Sequence, residues 1–288
     1  MLDLVCKPTV LEFKEMEEHY LAIDVGGTKT LFAVFTTAGE MVCECRIKTT
    51  QTYDGFIKDI SENLDRLRDR FQFSYTCCAI PGRIDFENGI GLDFGNLPWQ
   101  DVPIKKDLEA ALPGVKVLLH NDAKLAGLSE SLLLHKRYKE VLYITISTGI
   151  GGGVIIDDVI AKDFENFEPG RMVFERNGEN QIWETFASGK ALFKLYGKKA
   201  SEIDDPATWQ DYVKTLVVGF EDILANIQPD VVVVGGGVGA HFEKFKDLLE
   251  SELKKINNPL VPLPPLLKAQ RPEEAVIYGC YDYIKQNR

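Results

Sequence analysis

LAIDVGGTKTLFAVF, residues 21–35, reads as a strand, a two-glycine turn and a returning strand. A plain two-residue hairpin needs only Asn-Gly or Gly-Gly at its tip. This tip starts from a carboxylate, Asp24, and carries Gly26, Gly27, the hydroxyl of Thr28 and the cation of Lys29. Glycine lets backbone N–H groups come close to oxygens. Lysine adds charge, and an aspartate is a hard oxygen ligand for a divalent cation, directly or through water. The mixture suits a metal-bound phosphate.

The same grammar returns in the second half. EVLYITI (140–146) is a strand, STGIGGG (147–153) a glycine turn with Thr148, Gly149 and Gly151, and VIIDDVI (154–160) a second strand. One such unit in each half predicts an α/β chain of two related domains. The smaller comprises 1–119 plus the last helix, 273–288; the larger is 120–272. The breaker-rich NPLVPLPPL (258–266) leads back to the first, since proline fits neither a helix interior nor a central strand.

Around these landmarks the pattern predicts strands at 20–26, 31–37 and 41–48 and an amphipathic helix at 54–71. A strand at 76–80 and a helix at 105–112 follow, then a strand at 115–120. Residues 83–100 are rich in turn formers and show no period. Helices are expected at 181–197 and 207–227, then an apolar strand, VVVVGGGVG (231–239), and helices at 241–256 and 273–286.

Composition narrows the function classes. The 288 residues carry a net charge of −11, which argues against general nucleic-acid binding. No apolar run approaches the roughly 20 residues of a membrane span, and the first twenty residues do not read as a signal peptide, so a cytoplasmic protein is expected. The six cysteines are scattered without a C-x-x-C pair and are expected to be reduced thiols.

Several polar positions stand out. Asn121-Asp122 closes the strand VKVLLH and opens a helix. An aspartate there is a good helix cap; it is equally placed to accept the proton of an attacking hydroxyl, with the asparagine holding a neighbouring one. Gly235, Gly236 and Gly237 lack the acidic residue about 20 positions on that a dinucleotide site expects, so a nucleotide packed on glycine backbone is preferred. Asn96 in GNLPW and Glu168 in EPGR can hydrogen-bond sugar hydroxyls, or serve as solvated loop residues.

Taken in order, these pieces resemble the ROK family of sugar kinases. The matching motifs are DVGGTKT (24–30), IPGRID (80–85), GNLPW (95–99), HNDAKLAG (120–127), STGIGGG (147–153), EPGR (168–171), WETFASG (183–189) and PDVVVVGGGV (229–238). The resemblance implies a two-domain actin-like ATPase (ribonuclease H-like) fold with a central cleft. It also implies ATP-dependent phosphorylation of a hexose, glucose first, at its 6-hydroxyl, with Asp122 as base. Gly26, Gly27, Thr28, Lys29, Thr148, Gly149 and Gly151 would hold the nucleotide phosphates and Asp24 the Mg²⁺. Gly235, Gly236 and Gly237 would lie near the adenosine. Gly82, Asn96, Asn121, Glu168, Arg171 and Glu184 would form the sugar site.

Two departures matter. Where many relatives carry E-x-G-H and a cysteine run that binds zinc, this chain has Arg171 and MVFERNGENQIW (172–183) with no cysteine, so no structural zinc is expected. A guanidinium only donates, which leaves the sugar open between glucose, mannose, fructose and N-acetylmannosamine. The donor is open between ATP and polyphosphate, and a homodimer is open too. A non-catalytic sugar-sensing regulator is the reading from another class. Repressor relatives carry a helix-turn-helix domain ahead of the kinase-like part, and only about 19 residues precede the first strand here, too few for one.

Overall fold

The computed structural model describes residues 5–6, 17–256 and 262–288. Two compact units divide the chain: Met1–Leu125 with Val276–Arg288, and Ala126–Ala275. The first part of the proline-rich connection, through residue 261, lies outside the described residues.

The first unit contains β1 (Val5–Cys6), β2 (Glu18–Val25), β3 (Lys29–Thr36), β4 (Met41–Lys48), α1 (Tyr53–Arg68) and β5 (Gln72–Ile80). There follow β6 (Arg83–Asp85), β7 (Ile90–Phe94), β8 (Leu97–Val102), α2 (Ile104–Ala111), β9 (Lys116–Asn121) and the start of α3 (Asp122–Leu132). Six strands form one sheet in the order β1-β4-β3-β2-β5-β9. The β2–β3–β4 meander is antiparallel, whereas β2, β5 and β9 run parallel.

The apolar stripe of α1, Phe56, Ile60, Leu64 and Leu67, is fully buried against this sheet together with Ile104 and Leu108 of α2. Spacing of three and four residues puts those side chains on one helix face, which is why the segment is a helix. Residues 83–100, expected to be irregular, form the three-stranded sheet β6-β7-β8. Register shifts in both pairings and left-handed glycines at Gly89 (φ +67°) and Gly95 (φ +56°) break the period that would have revealed it.

Cys43 is disulfide-bonded, which corrects the expectation of reduced thiols throughout. The β1–β4 register sets Cys6 opposite Cys43, a juxtaposition that the sequence spacing does not show. Cys45, Cys77, Cys78 and Cys280 are free and buried.

The second unit repeats the grammar. It contains β10 (Glu140–Ile146), β11 (Ile150–Ile156), β12 (Val159–Ile160), β13 (Val173–Arg176), β14 (Glu179–Ile182), α4 (Trp183–Ala187), α5 (Gly189–Tyr196) and α6 (Pro206–Ile227). Then come β15 (Val231–Gly235), α7 (Gly236–Gly239), α8 (Lys246–Ile256) and β16 (Leu266–Lys268), before α9 (Ala275–Asn287) closes the chain in the first unit. Its sheet order is β12-β11-β10-β15-β16, an antiparallel hairpin beside parallel strands, as in the first unit.

Three expectations are corrected here. The 147–153 turn is only residues 147–149; Gly151, Gly152 and Gly153 lie in β11, paired with Thr145, Ile144 and Tyr143. The 181–197 helix is a strand end, α4 and α5, broken where Ser188 turns extended (ψ 169°) and caps α5 by accepting from Ala191 N–H at 3.2 Å. The 241–256 helix is a 3₁₀ turn at Phe242–Lys244 followed by α8.

Candidate active site

Ligands of open α/β sheets gather beyond the carboxyl ends of parallel strands. In the first unit three neighbouring strands end together. Register pairs Asp24 of β2 with Ala79 of β5, and Ile80 of β5 with Asn121 of β9. Asp24, the Pro81-Gly82 turn and Asn121-Asp122 therefore share one edge.

The turn after β5 is built for Asn121. Gly82 has φ +93°, and a Cβ there would stand 2.1 Å from the Asp93 carbonyl oxygen, so only glycine fits. Its carbonyl accepts a hydrogen bond from Asn121 Nδ2 at 2.9 Å. Asn121 Oδ1 accepts from Lys124 N–H at 3.2 Å, the bond of an N-cap. Asn121 is thus the cap of α3, and Asp122 falls in its first turn, with Oδ1 accepting from Ala123 N–H at 2.7 Å. Behind them His120 is buried, its ring about 5.0 Å from those of Phe86 and Tyr283. Burial, then the Lys124 charge, push its pKa down to about 3, so it is neutral and its Nδ1 accepts from Asn121 N–H at 2.9 Å.

Asp24 is half-buried, and loss of water pushes its pKa up to about 7, with the nearby Asp122 charge adding to the rise. A buried carboxylate whose proton affinity is raised further by a neighbouring negative charge is an electrostatic deficit that a divalent cation would relieve. Next to Asp24, Gly26 N–H donates to Lys29 O at 3.0 Å and closes the turn. A Cβ on Gly27 would lie 2.9 Å from Asn96 Cβ, so the glycine turn and the GNLPW loop touch. Thr28, Lys29 and Asn96 are exposed.

In the second unit, Ser147 and Thr148 head a cavity of about 520 Å³ lined also by Gly189, Lys190, Phe193, Lys199, Gly237 and His241. Of Gly235, Gly236 and Gly237, only Gly237 lines it. Gly235 and Gly236 are packed below, where a Cβ would meet the Tyr143 hydroxyl at 2.3 Å and Thr145 Oγ1 at 2.5 Å. Lys190, Phe193, Lys199 and His241 carry no motif and were not anticipated. Burial, then the charges of Lys244 and Lys268, lower the pKa of His241.

Gly149 and Gly151 do not line this cavity. Gly149 instead faces Glu184, whose Oε2 would lie 2.6 Å from a Cβ on Gly149 and accepts from Ile150 N–H at 3.3 Å. The same oxygen lies 3.2 Å from a Cβ position on Gly170. Glu184, the 147–149 turn and the Glu168–Arg171 turn are therefore one cluster, with Glu168 half-buried and Arg171 exposed. Among the described residues, no three of His, Cys, Asp and Glu converge as a metal centre. No helix among them is long and apolar enough to cross a membrane.

The ROK family model matches residues 20–287. The chain belongs to the ROK family. A glucokinase of Halalkalibacterium halodurans is 27% identical over 268 residues, covering 77% of this chain and 81% of the relative. An N-acetyl-D-glucosamine kinase of Escherichia fergusonii is 27% identical over 297 residues, covering 90% and 97%. The crystal structure of a ROK family glucokinase from Streptomyces griseus, in complex with glucose and AMPPNP, superposes with a TM-score of 0.78. It is 22% identical, and the match covers 93% of this chain and 99% of that one. The fold is the actin-like ATPase fold of the ROK sugar kinases.

Proposed function

We propose that this ROK sugar kinase transfers the γ-phosphoryl group of ATP to the 6-hydroxyl of a hexose, glucose before mannose, with Asp122 as general base. The observation that carries the reading is the division of labour at α3: Asn121, not Asp122, supplies the helix cap, and the Asp122 carboxylate lies close enough to Asp24 to raise its pKa. Phosphoryl transfer asks a protein mainly for alignment and charge neutralisation, with a base to orient the nucleophile.

Asp122 accepts the hydroxyl proton through one carboxylate oxygen while the other stays tied to Ala123 N–H. Asn121 keeps one amide hydrogen for a neighbouring sugar hydroxyl after its bond to Gly82. Asn96, Gly82, Glu168, Arg171 and Glu184 are assigned to the remaining sugar contacts. The amides of Gly27 and Thr28 with the Lys29 cation, and Thr148 with Gly149 and Gly151, are assigned to phosphate oxygens. The 520 Å³ cavity, floored by glycine and edged by Ser147 and Thr148, has the size and the apolar Phe193–Val238 walls that a nucleoside needs. Asp24 would hold Mg²⁺, which would neutralise phosphate charge and favour the ionised carboxylate. Arg171 is long and donates only, so it suits hydroxyls that accept and disfavours a bulky 2-substituent, which fits unmodified hexoses better than N-acetyl sugars.

A panel of glucose, mannose, fructose and their N-acetylated amino forms, each with ATP or polyphosphate, tests the reading through phosphorylated sugar. Turnover of glucose with ATP is expected. Turnover with polyphosphate alone would replace the donor, and no turnover with any pair would favour a sugar-sensing regulator.

A further inference from the structure

The glycine turn 26–28 is held from outside its own hairpin. Thr49 is fully buried. Its hydroxyl donates to Gly26 O at 2.7 Å and lies 2.9 Å from Thr30 Oγ1, while its N–H donates to Thr28 O at 3.0 Å. The intervening carbonyl, Gly27 O, accepts from Gln51 Nε2 at 3.3 Å, and the same Nε2 reaches Thr49 O at 3.4 Å. All three carbonyls of the turn are therefore claimed by the segment 49–51, which links β4 to α1.

The consequence follows from peptide geometry. No peptide bond among the described residues is cis, and in a trans unit the N–H points opposite to the C=O. Fixing Gly26 O and Gly27 O on the side of residues 49–51 turns Gly27 N–H and Thr28 N–H to the opposite side. Among the described residues those two amides donate to no protein group, and both residues are at least partly exposed. Adjacent unspent amides with glycine on one of them are an anion seat. The same segment also touches the GNLPW loop, since Trp99 Nε1 donates to Gln51 O at 2.8 Å.

We infer that Thr49 and Gln51 are positioning residues that aim the Gly27 and Thr28 amides at the phosphate oxygens of the nucleotide. The inference rests on the kinase reading above. Neither side chain touches substrate; each acts through a carbonyl of the turn.

The test compares Thr49→Val, which keeps the shape and removes the hydroxyl, with Thr49→Ser, which restores it, and Gln51→Met at the exposed position. Three quantities are read for each: affinity for a non-hydrolysable ATP analogue by calorimetry, KM for ATP against KM for the hexose, and melting temperature. Loss of one aligned hydrogen bond at an anion seat is expected to weaken analogue binding and kcat/KM for ATP about tenfold in Thr49→Val. Gln51→Met is expected to lose about threefold with an unchanged melting temperature. Thr49→Ser should return to within about threefold of wild type, and hexose affinity should stay unchanged in all three. Equal analogue affinity in Gln51→Met and wild type, or equal losses for both substrates in Thr49→Val, would overturn the inference. If Thr49→Val does not fold, Gln51→Met and Thr49→Ser decide it alone. A wild-type protein that binds analogue and hexose without turnover would refute the kinase reading but leave this inference standing, because the binding comparison does not need turnover.

Discussion

At the scale of residues, the deciding pair is Asp24 and Asp122. Asp24 titrates near 7 in the folded protein, chiefly from lost hydration and then from the Asp122 charge, against an ordinary value of 3.8. The sign follows from linkage: the folded state holds a proton that the unfolded state releases, so metal-free stability falls as pH rises from about 4 to 7. Asp24→Asn is therefore expected to melt higher than wild type at pH 8 in chelator, by roughly 1–2 kcal/mol after solvent screening, and to gain nothing below pH 4. Thermal melts across that range check it, and a variant that is less stable at pH 8 would show that Asp24 is paired rather than strained. The placement of DVGGTKT and HNDAKLAG at strand ends was legible because each has turn chemistry beside an apolar strand. Thr49 and Gln51 were not, because KTTQ has no motif and its bonds are made across 23 and 24 positions of sequence.

At the scale of elements, hairpins were legible and interruptions were not. The β2–β3 turn follows from two glycines between alternating strands. In β11 the glycines have a different cause: a Cβ on Gly152 would meet Tyr143 O at 2.8 Å and Pro169 at 3.0 Å, so the run serves close packing of the 168–171 turn, not a bend. The break between α4 and α5 is also tertiary, since a Cβ on Gly189 would stand 2.6 Å from Ser147 O. Helix α6 gives the same lesson with a testable sign. Gly219 sits inside it, where alanine is normally about 1 kcal/mol better. Yet a Cβ there would come within 2.2 Å of the fully buried Trp183 ring, whose Nε1 donates to Thr215 O at 3.1 Å. Gly219→Ala is therefore expected to destabilise by about 1–3 kcal/mol through overpacking, measured by denaturant melts. A stabilised variant would mean that the indole moves freely and that α6 follows intrinsic propensity.

At the scale of the whole molecule, each unit pairs an antiparallel hairpin with parallel strands, and that repetition was legible from two glycine turns about 120 residues apart. The exact crossing points were not: the chain passes from one unit to the other inside α3, at Leu125–Ala126, where a continuous helical pattern hides the change. The proposed hexose and nucleotide contacts draw on different groups, so each substrate should stabilise the protein by itself. A hexose at about 100 times its Kd is expected to add about 2.7 kcal/mol, visible as a raised melting temperature, and a non-hydrolysable ATP analogue should do the same in its absence. A response to only one of the two would show that the second site is not formed without the first ligand.

The central claim is that Asp122 takes the proton of the hexose hydroxyl, and hexose-dependent ADP release by wild type and Asp122→Asn tests it most directly. Because Asn121 supplies the cap of α3, the variant should fold and should bind hexose with near-normal affinity by calorimetry. Its kcat should fall about 10²–10⁴-fold, the share of a general base. Turnover by Asp122→Asn within a few-fold of wild type would contradict the account, and would return Asp122 to the role of a helix-start residue.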